Sequence, residues 1–334
     1  MLLRRLSRKQ KWALFGSVTT MGGGLYYLHY TKEPPVTASR KTTTLTGKHL
    51  THEDVVNGRQ VLWNLGNFKW QDIPSTIARR YLQDEQVDTL GWRAGSTLVI
   101  GSIGLVGKFL LTCLESTKVY HMDRFLAVLH DEQRQRGVIT VSNHLSVWDD
   151  PVLWGVLPMK TLLDIDRMRW VLGAADICYT TLFKATFFSM GKAIPTIRGG
   201  GIYQPAVDFA IQKLNHAGWI HVFPEGKVNQ TPVMLRFKWG IGRLIMDSDM
   251  CPIVIPVWHQ GMEHVRPLRG PFAQFGRPVI VVFGEPLDFQ WILEKWKSGE
   301  LTEEETRIQL TDMMVDALKQ LKDKTHQELE SGLL

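Results

Sequence analysis

The chain has 334 residues, 44% of them hydrophobic and 22% charged, which excludes intrinsic disorder and collagen-like repeats and allows a full core in one or two domains. Its three cysteines, Cys113, Cys178 and Cys251, lie far apart with no Cys-x-x-Cys pair, excluding a disulfide scaffold and an all-cysteine zinc site. The formal charge of +6 does not point to nucleic acid: residues 1–48 hold nine Lys/Arg and one acid, while the remaining 286 hold 30 Lys/Arg against 32 Asp/Glu, so the basic excess is an N-terminal tail.

In chain order, Arg4, Arg5, Arg8, Lys9 and Lys11 precede a glycine-broken apolar stretch from Trp12 to Tyr30. A secretory signal or anchor and a mitochondrial presequence both begin this way. The segment from Thr37 to Thr51 is basic, hydroxyl-rich and free of acids, and no Ala-x-Ala site follows the apolar run. That balance favours mitochondrial targeting, with residues 1–50 an extension outside the fold and 51–91 a linker. A second apolar stretch runs from Ala94 to Leu114 with one charge, Lys108. Its length is about that needed to span a bilayer, but four glycines weaken the helix. A span, an in-plane or re-entrant helix with Lys108 snorkelling, and a buried core helix all remain open; a membrane-associated helix is expected within 92–120. A third apolar stretch, Trp170 to Ile197, reads equally as core or as a second membrane-contacting helix.

Four short β-branched or aromatic runs read as buried strands: Val138–Val141, Ile220–Phe223, Ile253–Val257 and Val279–Phe283. Helical segments separate the first three. The expected fold class is therefore α/β, one domain over 121–290 with a mostly parallel sheet flanked by helices, plus the N-terminal membrane-associated helix. A C-terminal amphipathic segment over 291–334 contains a helix from Thr302 to Glu330 carrying Ile308, Met313, Met314, Leu318 and Leu321 near helical spacing.

Polar clusters follow three of the strands: Asn143-His144 after the first, Pro224-Glu225-Gly226-Lys227 after the second and Trp258-His259 after the third. Ligands in open α/β sheets bind beyond the carboxyl ends of strands, so these clusters are expected to converge on one cleft. His144 and Asp149 are five residues apart, about 140° around a continuous helix. If His144 instead sits in the strand-to-helix turn, the carboxylate can reach its ring, fix the tautomer and leave the other nitrogen free to take a hydroxyl proton. An N-cap pair or two exposed polar residues are the alternatives. The Pro224–Lys227 segment reads as a tight turn carrying an ion pair, or as a place where backbone approaches a ligand closely. Gly191 to Gly201 sets Arg198 beside three glycines, an anion-binding arrangement or simply a flexible loop.

The chain has no Gly-x-Ser-x-Gly elbow, no His-Glu-x-x-His, no Gly-x-Gly-x-x-Gly, and no Gly-Lys-Ser/Thr. Neither a metal nor another cofactor is expected. NHLSVWD, the Gly191–Arg198 block and FPEG, in that order, followed by a strand ending near Pro256, resemble the glycerolipid acyltransferase superfamily. The likeness extends through NHLSVWDDP, Ala174–Thr180, FFSMGKAIPTIRGG, FPEGKVN, LRFKWGIGRLI and IPVWHQGM. It covers about Trp92 to Leu321, and within the superfamily it is to the mitochondrial phospholipid–lysophospholipid transacylases that remodel cardiolipin. The chain departs from the wider pattern at Leu145, at Lys227-Val228 and in a Gly191–Arg198 spacing one residue longer.

This resemblance implies roles residue by residue. His144 would be the general base and Asp149 would orient it, with Asn143 and Ser146 supporting. Arg198, Glu225, Gly226 and Lys227 would hold the glycerophosphate head. The implied substrates are phospholipids and lysophospholipids, cardiolipin and phosphatidylcholine among them. The implied setting is the inner and outer mitochondrial membranes, facing the intermembrane space, with an oligomer possible and no nucleic acid involved. An acyl-CoA-dependent lysophospholipid acyltransferase would use the same base and acceptor. A non-catalytic lipid-binding protein is the reading from another class.

Overall fold

The computed structural model describes residues 68–82, 89–267 and 274–332; the targeting extension expected over 1–50 lies outside them. Seven strands form one sheet: β1 (Ser116–Tyr120), β2 (Val138–Ser142), β3 (Trp170–Ala174), β4 (Ala193–Thr196), β5 (Trp219–Val222), β6 (Ile253–Gln260) and β7 (Pro278–Phe283). Their order is β1-β7-β6-β2-β5-β3-β4. Every neighbouring pair is parallel except β6–β7, which run antiparallel through Val257↔Phe283. The main helices are α1 (Leu90–Phe109), α2 (Met122–Leu129), α3 (Asp149–Leu153), α4 (Leu182–Met190), α5 (Pro205–Asn215), α6 (Gly240–Met246), α7 (Gln290–Lys297) and α8 (Glu303–Glu330).

The sheet separates two cores. Ile139, Val141, Ile220 and Val222 face α5, α6 and α8 through Phe209, Leu244, Leu310 and Met314. Val138, Trp219, Ile255 and Val257 belong to the other core with Phe125, Leu129 and Trp154. Consecutive β2 residues thus point to opposite layers, as the period of two requires. All five β2 residues are buried, because a central parallel strand is covered on both faces.

Three strands were not anticipated. β1 reads STKVY, half polar, and sits on the sheet edge beside β7, so no apolar run announces it. β3 and β4 occupy the ends of the stretch from Trp170 to Ile197, which is not one helix: it folds as strand, helix α4 and strand, with Val171↔Ala193 and Leu172↔Ile194 in register. Pro195 lies in β4, the other edge, where a missing N–H costs no ladder bond.

α1 starts at Thr89, whose hydroxyl accepts the N–H of Trp92, and ends in a π-helical turn over Leu110–Leu114. It is the one helix among the described residues long and apolar enough to cross a membrane. Leu90, Leu98 and Leu105 are exposed, Leu98 at 72%, while Ser96, Ile100, Gly101, Gly104 and Gly107 are buried. The glycines expected to weaken the helix are its contact face. A Cβ on Gly155 would stand 2.3 Å from the backbone of Gly107 and Lys108, so two backbones touch there. Gly155→Ala should therefore cost at least about 2 kcal/mol, a melting shift of roughly 4–8 °C. Gly91→Ala, whose Cβ would meet nothing within 4 Å, should leave the melting temperature unchanged or slightly higher.

α8 begins in a capping box: Thr302 Oγ1 accepts the N–H of Glu305 (3.3 Å) and the Glu305 carboxylate accepts that of Thr302 (2.9 Å). Its buried side is Thr306, Leu310, Met314 and Leu318, one i+4 row. Ile308, expected on that side, is exposed.

Candidate active site

β2 ends at Ser142 and α3 begins at Asp149, so His144 lies in the turn between them. Asp149 is fully buried. Its Oδ2 accepts from the backbone N–H of Leu145 (2.6 Å) and Ser146 (2.8 Å) and from His144 Nδ1 (2.9 Å). The carboxylate is thus the hub that shapes the turn as well as the partner of the ring. As Nδ1 donates, the ring is the Nδ1–H tautomer and Nε2 keeps a free lone pair. The ring stacks on Phe223, with centroids 4.0 Å apart and planes 20° from parallel, and its side chain is 19% exposed. Among the described residues Nε2 has no hydrogen-bond partner, and His144 lines a cleft of about 190 Å³.

The strand ends converge because β2 lies between β5 and β6. From β5, the buried Glu225 accepts the N–H of His144 through Oε1 (3.4 Å), while Oε2 accepts from Asn229 Nδ2 (2.7 Å) and the N–H of Leu235 (3.1 Å). Glu225 therefore builds the wall behind His144, and both its oxygens are engaged by the protein. Gly226 turns at φ 72° and, with half-buried Lys227, lines the cleft. From β6, His259 pairs with Asn143: Asn143 Nδ2 donates to the His259 carbonyl (2.8 Å) and Asn143 Oδ1 accepts the His259 N–H (3.1 Å). Ser146 donates to the carbonyl of Arg266 (3.0 Å), tying the turn to the loop after β6.

Arg198 reaches the same cleft from the end of β4, with its guanidinium paired two-pronged to Asp176. Lys192 of the same block is buried instead, at φ 59°, its ammonium donating to the carbonyls of Ile165 and Met168. It fastens β4 to the loop before β3. A second two-pronged pair, Arg169 with Asp150 (2.9 and 2.6 Å), also lines the cleft. The remaining walls are apolar: Ile100, Ile103 and Gly104 of α1, Phe187 and Phe188 of α4, and Val171 and Leu172 of β3.

Beneath the site, His221 is fully buried between Thr140 Oγ1 (2.8 Å from Nδ1) and Ser142 Oγ (3.3 Å from Nε2). Burial, reinforced by the charge of Arg169, holds its pKa well below the ordinary imidazole value. An unfolded chain takes up a proton near pH 6.5 that the folded site refuses, so stability falls as pH drops below that value, by up to about 1.4 kcal/mol per unit. Melting curves at pH 7.5 and 5.5 should show this loss, and His221→Gln should flatten it.

The three-way junction of His144, Asp149 and the Phe223–Lys227 turn stands inside the part of the chain, residues 120–260, that matches the acyltransferase family. Tafazzin of Drosophila melanogaster is 36% identical over 266 residues, covering 77% of this chain and 70% of that protein. The chain belongs to the tafazzin family of acyltransferases. A tafazzin of Dictyostelium discoideum is 40% identical over 51% of this chain, which spans 63% of that protein's length. The N-acylphosphatidylethanolamine synthase of Arabidopsis thaliana is 37% identical over 60% of this chain and 73% of its own length. The tafazzin match takes in the whole cleft, including its α1 wall, and makes the chain an acyltransferase.

Sequence reasoning did not identify Arg169, Asp150, Asp176 or the pairing of His259 as parts of the site. Arg169 lies in the loop before β3, and Asp176 in a one-turn helix, Ala175–Cys178, that follows it. His259 stood out only as a strand-end residue.

Proposed function

We propose that the protein is a transacylase that moves acyl chains between phospholipids and lysophospholipids without coenzyme A, cardiolipin and phosphatidylcholine among its substrates. Acyl transfer to a hydroxyl is carried by the His144–Asp149 dyad, whose Nε2 lines an apolar-walled cleft; the likeness to tafazzins supports a phospholipid donor in place of acyl-CoA. Nε2 takes the proton of the lysolipid hydroxyl as that oxygen attacks the ester carbonyl of the donor. The tetrahedral adduct collapses, and Nε2–H returns the proton to the departing glyceryl oxygen. One ester forms as another breaks, so no activated donor or cofactor is required and transfer runs in both directions. Asp149 holds the tautomer and stabilises the imidazolium that forms.

Arg198 and Lys227 at the rim supply positive charge for the phosphate of either lipid, and Gly226 lets backbone approach it. In this reading Glu225 positions His144 and the turn, with the phosphate left to the two cations. The exposed leucines of α1 rest in the membrane from which both substrates come; the basic N-terminal sequence and the tafazzin relatives support a mitochondrial location, at the inner and outer membranes facing the intermembrane space.

The test is acylation of a labelled lysophospholipid by purified protein in phosphatidylcholine vesicles, with and without acyl-CoA. Equal rates support a transacylase, whereas absolute dependence on acyl-CoA would make it an acyl-CoA acyltransferase. The name of the Arabidopsis relative raises a second acceptor, the amine of phosphatidylethanolamine. N-acylated product in the same vesicles would favour it.

A further inference from the structure

We propose that His259 is a positioning residue for the dyad, its Nε2–H held by the Asn143 carbonyl beside the carboxylate that steadies His144. This role rests on the base assignment above. His259 is fully buried at the end of β6. Its Nε2 lies 2.9 Å from the carbonyl oxygen of Asn143 and 3.6 Å from Asp149 Oδ2, the same oxygen that accepts from His144. A carbonyl only accepts, so the ring hydrogen is on Nε2.

Together with the two bonds from the Asn143 amide to the His259 backbone, this makes a reciprocal clasp of three hydrogen bonds. It joins the ends of β2 and β6, 116 residues apart, and the residue following Asn143 is His144. The clasp therefore fixes the chain direction from which the catalytic ring departs, while the clasping ring lies against the partner of that base. His259 Nδ1 is buried with no hydrogen-bond partner among the described residues. A bare buried nitrogen is a cost that an apolar side chain would not carry; what the imidazole adds to the site is its other nitrogen. His221, by contrast, has both nitrogens engaged.

The titratable groups around the ring are Asp149 and His144 from the β2–α3 turn and His221 from β5. On the opposite side of β6, His326 and Lys322 of α8 meet Trp258 and Gln260. An N–H dipole beside the Asp149 carboxylate stabilises its charge and opposes imidazolium formation at His144. Its removal leaves the carboxylate's charge less balanced and strengthens its attraction for a protonated His144 ring. A base must be unprotonated to act, so the acid limb of the rate profile then moves to higher pH.

The experiment uses the full chain in phosphatidylcholine vesicles with lysophospholipid and no coenzyme A, for wild type, His259→Leu, His259→Gln and His144→Ala, between about pH 5 and 9. His259→Leu should lose about 10- to 100-fold in kcat, by analogy with the outer partners that orient metal ligands, with its acid limb displaced upward. His259→Gln, which sets an amide N–H near the position of Nε2, should recover at least half of the logarithmic loss and the wild-type limb. An acid limb in His259→Leu that coincides with wild type, or a Gln variant no better than Leu, overturns the role.

Should His259→Leu fail to fold, selective ¹⁵N-histidine spectra of the wild type decide. A neutral Nε2–H ring at 259 while His144 titrates supports the role, and an Nδ1–H ring or joint protonation contradicts it. If His144→Ala keeps transferring, the base assignment itself has failed. If His144→Ala is dead while both 259 variants match wild type, only the role of His259 falls.

Discussion

His144→Ala should lower acyl transfer by about 10³-fold or more, the effect of removing a general base that acts together with an oriented partner. Folding should survive, because the turn does not depend on the ring. Asp149 Oδ2 would still accept from Leu145 and Ser146, and the backbone of residue 144 would still donate to Glu225. Melting temperature and vesicle binding should therefore match wild type while acylation of the labelled lysophospholipid stops. In the proposed reading the exposed leucines of α1 hold the membrane, on a different element from the dyad. A His144→Ala variant that transfers acyl chains at more than a few per cent of the wild-type rate would remove the base from the account.

Asp149→Asn should be nearly as damaging, for a different reason. The side chain is fully buried and its Oδ2 accepts three donors. An amide oxygen in the place of Oδ2 can keep all three donors, His144 Nδ1 among them, and the amide nitrogen then occupies the buried position of Oδ1, which has no hydrogen-bond partner among the described residues. What is lost is the negative charge that stabilises the imidazolium formed as His144 takes the hydroxyl proton. A loss of about 10²- to 10⁴-fold in kcat is expected, the range that acid–base catalysis contributes. Raising the pH should not restore it, since the defect is the missing charge behind the ring and not a protonated base. Asp149→Ala adds a structural failure, because two buried N–H groups and the ring lose their acceptor together; each unmade bond costs about 1–3 kcal/mol. The pair of variants separates the charge from the turn: Asn should fold with transfer strongly reduced, Ala should be inactive and markedly less stable.

The sequence made β2, β5, β6 and β7 visible because each is a buried run bounded by turn residues. β1 was hidden by its polar composition. β3 and β4 were hidden inside one long apolar stretch, where Phe187, Phe188 and Met190 of α4 carry a helical character across both flanking strands. The glycines of α1 were misread for a related reason. Propensity describes an isolated helix, whereas Gly107 and Gly155 serve a contact between segments that only the fold brings together. The α8 row was displaced because the side facing β6 is set by where the strand lies.

At the site, the His144–Asp149 relation could be read locally, since both partners lie within one turn. Glu225 was visible as a site residue, but its contacts with His144, Asn229 and Leu235 put it behind the ring. The pairs Arg198–Asp176, Arg169–Asp150 and Asn143–His259 join distant positions, and no spacing rule reaches across a sheet.

The most direct measurement is the structure of the protein with a lysophospholipid and a non-cleavable ether phospholipid bound together. The account predicts the lysolipid hydroxyl at about 3 Å from His144 Nε2, both phosphates near Arg198 and Lys227, and the donor chain along Ile100, Ile103 and Phe187. A hydroxyl seated elsewhere, with the ring of His144 turned from both lipids, would contradict it.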